Sequence, residues 1–527
     1  MAYYLYDARG YVGDLASTNG LELMSAHAIK VTNEPQIIRF FEEGQAPITQ
    51  ELITGFKAIH SSDKDIADAI NNLIRLLGKC ETVAIISDGT GIESPELTIH
   101  RGTHEIGGSC VELCSSSGNT RLIIDIGMPL VNADMSFFDW GTHRQSTLPQ
   151  LLDKKILPSV RGLYENDNPS VAAVLLSHAH IDHYGFLRFV HSDIPLYMSM
   201  GTKSLAEVSN VFLNTNVKLD RVKTFKMWQT FRIGEFAITP YLMDHSAPDA
   251  AAFLIEADGQ RIFYTGDFRG HGRKAVLLDR LTKDPPLHIN YLVMEGSMLG
   301  REEGLFPDEA SVEQALYDLI LSQKGLCYVF TSSQNLDRLV SIYRATRHSG
   351  KMLVIDLYTA FVLDKLSVIS PSIPQFGWEG VRVLYSYSHA QKLADLDKAL
   401  LSKYKSAKIE FEEIRDDPDD KVLLAKDSRY FRNIITKLKD YSGAIAVFSM
   451  WHGYLDRSNL GEFLKSNHIP ITEVHTSGHA YIRQLQMLAD ALKPRWIIPI
   501  HTFYPEKFHD LFPNVIQLKD DQAISLC

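Results

Sequence analysis

Hydrophobic positions along this chain fall into short runs separated by polar turns, and the length and period of each run predict its element. Val171-Ala172-Ala173-Val174-Leu175-Leu176 is apolar throughout, too short for an amphipathic helix and β-branched enough for a buried strand. Similar runs from Leu97 to Arg101, Ser109 to Leu113 and Arg121 to Ile126 are broken by Gly107-Gly108 and Ser115-Ser116-Ser117-Gly118-Asn119, which predicts an antiparallel meander. Between about Leu305 and Phe448 helix and strand alternate: helices over 311–323 and 336–348 precede strands over 326–331 and 352–357. That alternation implies a parallel sheet with crossover helices, a separate α/β domain inserted into the first. Near the start, Ile66, Ile70, Leu73, Ile74 and Leu77 define one helical face and Thr82 to Ser87 a strand, so a small α/β unit of unassigned role opens the chain. The expected organisation is 1–94 for that unit, 95–305 for the first part of the main domain, 306–450 for the insert and 451–527 for the return.

Several strands end in residues that bind metals. The run at 171–176 leads through Ser177 into His178-Ala179-His180-Ile181-Asp182-His183. Packing offers no reason to set a carboxylate among three imidazoles, whereas a metal site does. Ala237 to Met243 leads to Asp244-His245, Arg261 to Tyr264 to Asp267, Tyr291 to Met294 to Glu295, and Trp496 to Ile500 to His501. The C-terminal ends of these strands are expected to share one sheet edge. His178 and His180 point to one side of the loop, with His245 able to complete a first ion's ligands. Asp182 and His183 reach a second position, which His501 completes, and Asp267 bridges. Imidazole nitrogen and carboxylate oxygen both bind zinc at roughly 2.0–2.2 Å, so a short loop can serve two ions. Two such ions suit in-line displacement at a phosphodiester. Asp125, alone in the apolar run Leu122 to Ile126, is either a strand-end turn residue or a group that orients a ligating histidine.

Composition narrows the class. The 527 residues are 45% hydrophobic and 22% charged, as in a folded protein. No basic start precedes an apolar core, and no long charge-free apolar run is present, so the expectation is a cytoplasmic protein without a membrane partner. Five scattered cysteines argue against a disulfide framework, and Cys110 and Cys114, alternating in a strand-like run, read as core thiols. A net charge of −11 excludes indiscriminate polyanion binding but leaves room for a local basic groove.

His178 to His183 resembles the HxHxDH signature of the metallo-β-lactamase fold, and the flanking segments agree in order. His104 to Ser109 and Ile124 to Gly127 resemble the opening hairpin and first motif, His245 the third-motif ligand, and Thr265-Gly266-Asp267-Phe268-Arg269 the fourth motif. The insert and tail resemble the β-CASP nucleases, among them ribonuclease J and the endonuclease of pre-mRNA 3′-end processing. Glu295 matches motif A, Ser477-Gly478-His479-Ala480 motif B and Pro499-Ile500-His501 motif C. The resemblance covers about 97–510; it leaves out the first 94 residues, and the chain stops short of the extra C-terminal domain of ribonuclease J.

The resemblance implies an α/β protein: a metallo-β-lactamase αββα sandwich carrying an inserted β-CASP α/β domain and a small N-terminal α/β domain. It implies two Zn2+, with Mn2+ as the alternative, and a metal-dependent ribonuclease, endo- or 5′-exonucleolytic, acting on single-stranded RNA. A histidine at the position of His501 goes with the RNA-processing members. His178, His180 and His245 hold one ion; Asp182, His183 and His501 hold the other; Asp267 bridges and Asp125 supports from behind. Asp182 takes the proton of the attacking group, and His479, oriented by Glu295, protonates the leaving oxygen. For phosphate contacts the candidates are Ser332 and Ser333, ahead of a helix and equally readable as a cap; His475, Ser477 and Gly478; and Arg269. Arg269, His271, Arg273 and Lys274 form either a positive edge of the cleft or a solvated loop. A homodimer, and a protein partner for the N-terminal unit, are left open. The alternatives are a DNA nuclease or small-molecule phosphodiesterase with the same metals, and a catalytically silent RNA-binding scaffold.

Overall fold

The computed structural model describes residues 94–527, except 133–135 and 439–442, and before them the backbone of six strands. The chain divides into Met1–Pro95 with Leu526–Cys527, and Glu96–Ser525. In the first unit Tyr3–Tyr6 pairs antiparallel with Ala28–Val31 on one side and Ala84–Ser87 on the other, and Leu21–Ala26 pairs with Glu42–Ile48. The helix expected over 65–80 lies outside the described residues.

In the second unit, two sheets stack between helices. The first runs in the order Val222–Thr224, Leu196–Met198, Ala173–Leu175, Arg121–Ile124, Cys110–Cys114, Glu96–Arg101, Gln522–Ser525. The second runs Phe231–Ile233, Phe236–Leu242, Ala251–Ala257, Gln260–Tyr264, Tyr291–Glu295, Trp496–Ile500. Strand periodicity of two divides each strand between two buried surfaces. Ile123 and Val174 pack outward on Leu151, Leu157, Phe186 and Leu187. Leu254, Phe263, Leu292 and Ile497 pack on Leu278, Leu281, Leu485 and Leu488 of the helices Val276–Lys283 and Ile482–Leu492. This is the αββα sandwich. Cys110 and Cys327 are buried free thiols, and Cys114 is half-buried.

The insert is a seven-stranded, wholly parallel sheet with helices on both faces. Alternate residues of its central strands enter two cores: Cys327 and Val329 face helices Glu309–Ser322 and Leu336–His348, while Tyr328 and Phe330 face Ile434 and Leu464. The sheet extends beyond the boundary expected at 450, because Ile471–Glu473 still pairs with Ile445–Phe448; the chain returns to the sandwich only after it. Among the described residues no helix is long and apolar enough to cross a membrane.

Buried arginines order the seam between insert and sandwich. Within the insert Arg338 donates to Glu309 at 2.8 and 3.2 Å, and from the sandwich Arg269 donates to Asp337 of the insert at 2.6 Å and lies 3.7 Å from Glu309. Burial favours the neutral acid at Glu309, but the Arg338 and Arg269 guanidiniums outweigh it and hold the carboxyl at about 2, against an ordinary 4.5. A folded pKa below the unfolded one adds stability that is present above about pH 4.5 and lost as pH falls towards 2, roughly 3 kcal/mol in all. Glu309→Gln is therefore expected to lower the thermal midpoint clearly at pH 7, with the gap from wild type closing as pH drops below 4.5. A gap unchanged down to pH 3 would show that the ionised pair is not its source.

Candidate metal centre

The strands that end in ligand-type residues belong to two sheets rather than one, and their ends converge at one rim of the sandwich. His178 follows Ala173–Leu175 in the first sheet, while His245, Asp267, Glu295 and His501 follow strands of the second. Sequence shows that a strand ends but not which sheet receives it, because pairing is non-local. Asp182 and His183 lie in the short helix Ile181–Tyr184 rather than on an extended loop. Close backbone approach makes this possible: Ile126 N–H donates to His183 C=O at 2.8 Å, and a Cβ on Gly127 would fall 1.6 Å from the Asp182 carbonyl oxygen. Asp125 and His501 both adopt left-handed backbone, with φ of 60° and 56°, a strain that non-glycine residues show where the surrounding fold imposes it.

Hydrogen bonds fix the tautomers of three histidines. Asp125 accepts from Ser177 N–H at 2.8 Å, Ser177 Oγ at 2.7 Å and Tyr264 Oη at 2.9 Å, and lies 2.8 Å from His183 Nδ1. With that carboxylate as acceptor, His183 carries its proton on Nδ1 and turns the Nε2 lone pair inward. Ser177 Oγ, its own proton given to Asp125, accepts from His178 Nδ1 at 3.0 Å, and the Gly478 carbonyl accepts from His245 Nδ1 at 2.7 Å. The Nε2 atoms of His178 and His245 are thereby also lone pairs facing inward. His245 Nε2 stands 3.1 Å from His180 Nδ1.

The inward lone pairs surround Asp267. Its Oδ2 lies 3.2 Å from His183 Nε2, 3.7 Å from His178 Nε2 and 3.7 Å from His479 Nδ1; its Oδ1 lies 3.7 Å from His501 Nδ1. Three groups of donor atoms come within 4.8 Å of one another: His178, His180, His245 and Asp267; Asp182, His183, Asp267 and His501; Asp267, Glu295, His479 and His501. His178 Nε2, His183 Nε2, His479 Nδ1 and both Asp267 oxygens are buried with no hydrogen-bond partner. Orphaned lone pairs and an orphaned carboxylate in one dry space are costly unless a cation sits between them. The donor set fits a metal ion.

The electrostatics divide: at His183 burial opposes the charge, but the Asp267 and Asp125 carboxylates outweigh it and raise the ring well above the usual histidine range. A cation would have to displace a proton there, whereas the other histidines of the loop are held neutral. Burial, reinforced by neighbouring imidazoles, holds His178 and His245 well below the usual histidine range, and burial pushes His180 down to about 4. Burial opposes ionisation of Asp182, but His501 and His183 overcome it and take the carboxyl to about 2. His501 Nε2 is 3.3 Å from Asp182 Oδ2. Glu295, buried, accepts from Ser297 N–H at 2.9 Å and Ala480 N–H at 3.2 Å and stands 3.4 Å from His479 Nδ1. His479 is raised above the ordinary histidine value: burial lowers it, and Glu295 and Asp267 more than compensate.

The phosphate candidates divide. A cleft of about 780 Å³ runs past His180, Asp182, His245 and His479, and Ser332, His475, Ser477 and Gly478 line it. The helix behind Ser332 is capped by Asn335, so Ser332 is not its cap. Ser333 is buried and bonded to Thr359 Oγ1 at 2.7 Å, away from the cleft lining. Burial and the Arg338 charge push His475 down to about 3, which makes it a neutral contact. Arg269 does not reach the cleft: it is buried, donates to Ser477 C=O at 2.8 Å and pairs with Asp337. His271 contacts the same carbonyl at 2.9 Å, Arg273 pairs with Glu313, and Lys274 pairs with Asp337 at 2.7 Å. This segment is thus neither a positive cleft edge nor a solvated loop: its charge is paired with Asp337 and Glu313, and Arg269 and His271 hold the Ser477 carbonyl. Residues that sequence reasoning missed are Ser177 and Tyr264, which complete the Asp125 network, and an aromatic and arginine row around Trp451 on the cleft wall.

Residues 147–287 match the Beta-lactamase superfamily domain, and residues 470–507 match the Zn-dependent metallo-hydrolase RNA specificity domain. The first span holds every candidate ligand except His501, which falls in the second with His479. Ribonuclease J of Sinorhizobium meliloti is 23% identical over 366 residues, covering 66% of this chain and 60% of its own length. That of Helicobacter pylori is 23% identical over 431 residues, 78% and 56%, and that of Mycobacterium tuberculosis 24% over 369 residues, 66% and 61%. The chain thus spans about 60% of the length of these curated relatives. A crystal structure of a protein of unknown function from Enterococcus faecalis superposes with a TM-score of 0.66 at 21% identity, covering 82% of this chain and 100% of that one. The fold and the matched domain are similar to those of metallo-β-lactamase-type proteins, and the donor set fits a metal-ion site. Beyond the sandwich, the inserted α/β domain and the 470–507 match agree with the similarity to the ribonuclease J proteins.

Proposed function

We propose that this chain hydrolyses phosphodiester bonds of single-stranded RNA at a centre for two zinc ions. The observation that carries the reading is Asp267: a buried carboxylate with both oxygens unpartnered, shared by every donor group at the site. His178, His180 and His245 would hold one ion and Asp182, His183 and His501 the other, with Asp267 common to both. Bound there, the ions supply an activated water and neutralise charge on the phosphate. Asp182 Oδ accepts the proton of the attacking water, while Asp125 keeps the His183 ring in register. Water oxygen bonds to phosphorus and the leaving P–O bond breaks. His479, charged through Glu295 and partly open to the cleft, delivers the proton to the departing oxygen. Ser332, Ser477 and Gly478, which line the cleft, would receive neighbouring phosphates. His501 in motif C, the match of 470–507 to an RNA specificity domain and the names of the relatives support RNA over DNA.

The test is metal analysis of the purified chain, followed by equal-sequence labelled RNA and DNA offered to wild type and to Asp182→Ala. Bound zinc or manganese is expected, with RNA cut faster than DNA and the variant slower by about 10²–10⁴-fold. A metal-free protein, or a variant as fast as wild type, overturns the mechanism; faster DNA cleavage overturns the substrate. Linear RNAs with 5′-hydroxyl or 5′-monophosphate ends, beside a circular RNA, separate end trimming from internal cutting.

A further inference from the structure

One stretch of the cleft wall is built from alternating rings and guanidiniums that the reaction above does not use. The Arg457 guanidinium carbon lies 5.0 Å from the Phe137 ring centre and 4.9 Å from that of Trp451. That of Arg301 lies 5.1 Å from Trp451 and 6.0 Å from Phe503. Tyr454 stands edge-on to Trp451 at 5.5 Å and 84°. The order Phe137, Arg457, Trp451, Arg301, Phe503 joins sandwich to insert, since Trp451 and Arg457 follow the insert strand Ile445–Phe448 and Arg301 and Phe503 follow sandwich strands. All six residues line the same cleft as Asp182 and His180.

Two properties set this ladder apart from ordinary packing. Phe137 is 50% exposed, Trp451 37% and Tyr454 46%, so large ring surfaces are left in water. Neither Arg301 nor Arg457 makes an ion pair among the described residues, whereas Arg269, Arg273 and Arg338 all have carboxylate partners. In a protein of net charge −11, two unpaired guanidiniums in one cleft fit an anionic ligand, and the rings between them fit a planar one. Alternating charge and planar surface is the chemistry of a nucleotide chain. We propose that this ladder is a binding subsite for unpaired RNA, with bases stacking on Trp451 and Tyr454 and phosphates meeting Arg301 and Arg457. The inference rests on the ribonuclease reading and adds to it a structural basis for strand choice. A duplex keeps its base faces covered, so the ladder favours unpaired RNA; every base has such a face, so it imposes little sequence preference.

The test measures anisotropy of a short fluorescein-labelled single-stranded RNA, and of its duplex, bound to the full chain carrying Asp182→Ala to slow cleavage. Adding Trp451→Ala is expected to weaken single-strand binding about 10-fold, with a much smaller loss for the duplex, and Trp451→Phe to retain most of the affinity. Arg301→Ala and Arg457→Ala are each expected to flatten the dependence of log affinity on log salt by about 0.7, whereas Trp451→Ala leaves that slope unchanged. Equal loss for single strand and duplex, or loss in Trp451→Phe as large as in Trp451→Ala, overturns the stacking role. If the parent chain binds RNA and no ladder variant departs from it, the ladder falls alone. If the parent binds no RNA, the ribonuclease reading falls and the ladder with it.

Discussion

An Asp267→Ala chain is expected to lose most of its bound metal and to cleave RNA about 10³-fold more slowly or worse, since metal charge stabilisation contributes several kcal/mol. Asp267 is the residue common to all three donor groups, and neither of its oxygens has another partner. Asp267→Asn keeps one oxygen ligand but loses the charge, and is expected to fall between alanine and wild type in metal content. A structural role is separated from a metal role by thermal unfolding in chelator and with zinc supplied. Without ions the wild-type carboxylate has no hydrogen bond, but the His183, His501 and His479 imidazoles outweigh the burial that opposes its charge, so the stripped alanine variant is not a clean measure of metal binding. The gain on adding zinc is the measure: the wild-type midpoint is expected to rise well above that of its stripped form, and the alanine variant to rise much less, because it no longer gains the ions' binding energy. Full metal content in Asp267→Ala would remove the shared-ligand assignment.

What sequence revealed of this site follows how local each contact is. The convergence of His178 to His183 was legible because its spacing has no packing explanation, and that of the other candidate ligands because each ends an apolar run. Asp125 was legible only as a choice between turn and support, and the structure shows it has both features: left-handed backbone and a bond to His183. Arg269 misled because its position after Asp267 suggested the cleft, while the partners that bury it, Glu309 and Asp337, lie far along the chain. Ile471–Glu473 was missed as an edge strand because two of its three residues are exposed and only one is apolar. The ladder was beyond sequence reasoning altogether, since its five members come from four separate segments and meet only in the folded cleft. Trp451, just past a strand end in a parallel sheet, was its one local signal.

Replacing His479 by alanine is expected to cut RNA hydrolysis by about 10²–10⁴-fold, the usual value of a general acid, with bound metal unchanged. The site also places His479 and Glu295 within reach of Asp267 and His501, so a ligand role and an acid role must be told apart. The leaving group does this. A ribose oxygen departs poorly without a proton, whereas p-nitrophenolate departs without one, so an acid's contribution vanishes on an aryl phosphodiester and a ligand's contribution does not. His479→Ala should therefore act on bis(p-nitrophenyl) phosphate at close to the wild-type rate while failing on RNA. Glu295→Gln should follow the same pattern more weakly, about 10–100-fold on RNA, because the amide still spans to His479 but no longer favours its charged form. Equal losses on both substrates, accompanied by lost metal, would move His479 from proton donor to ligand and leave the leaving oxygen to be protonated by water.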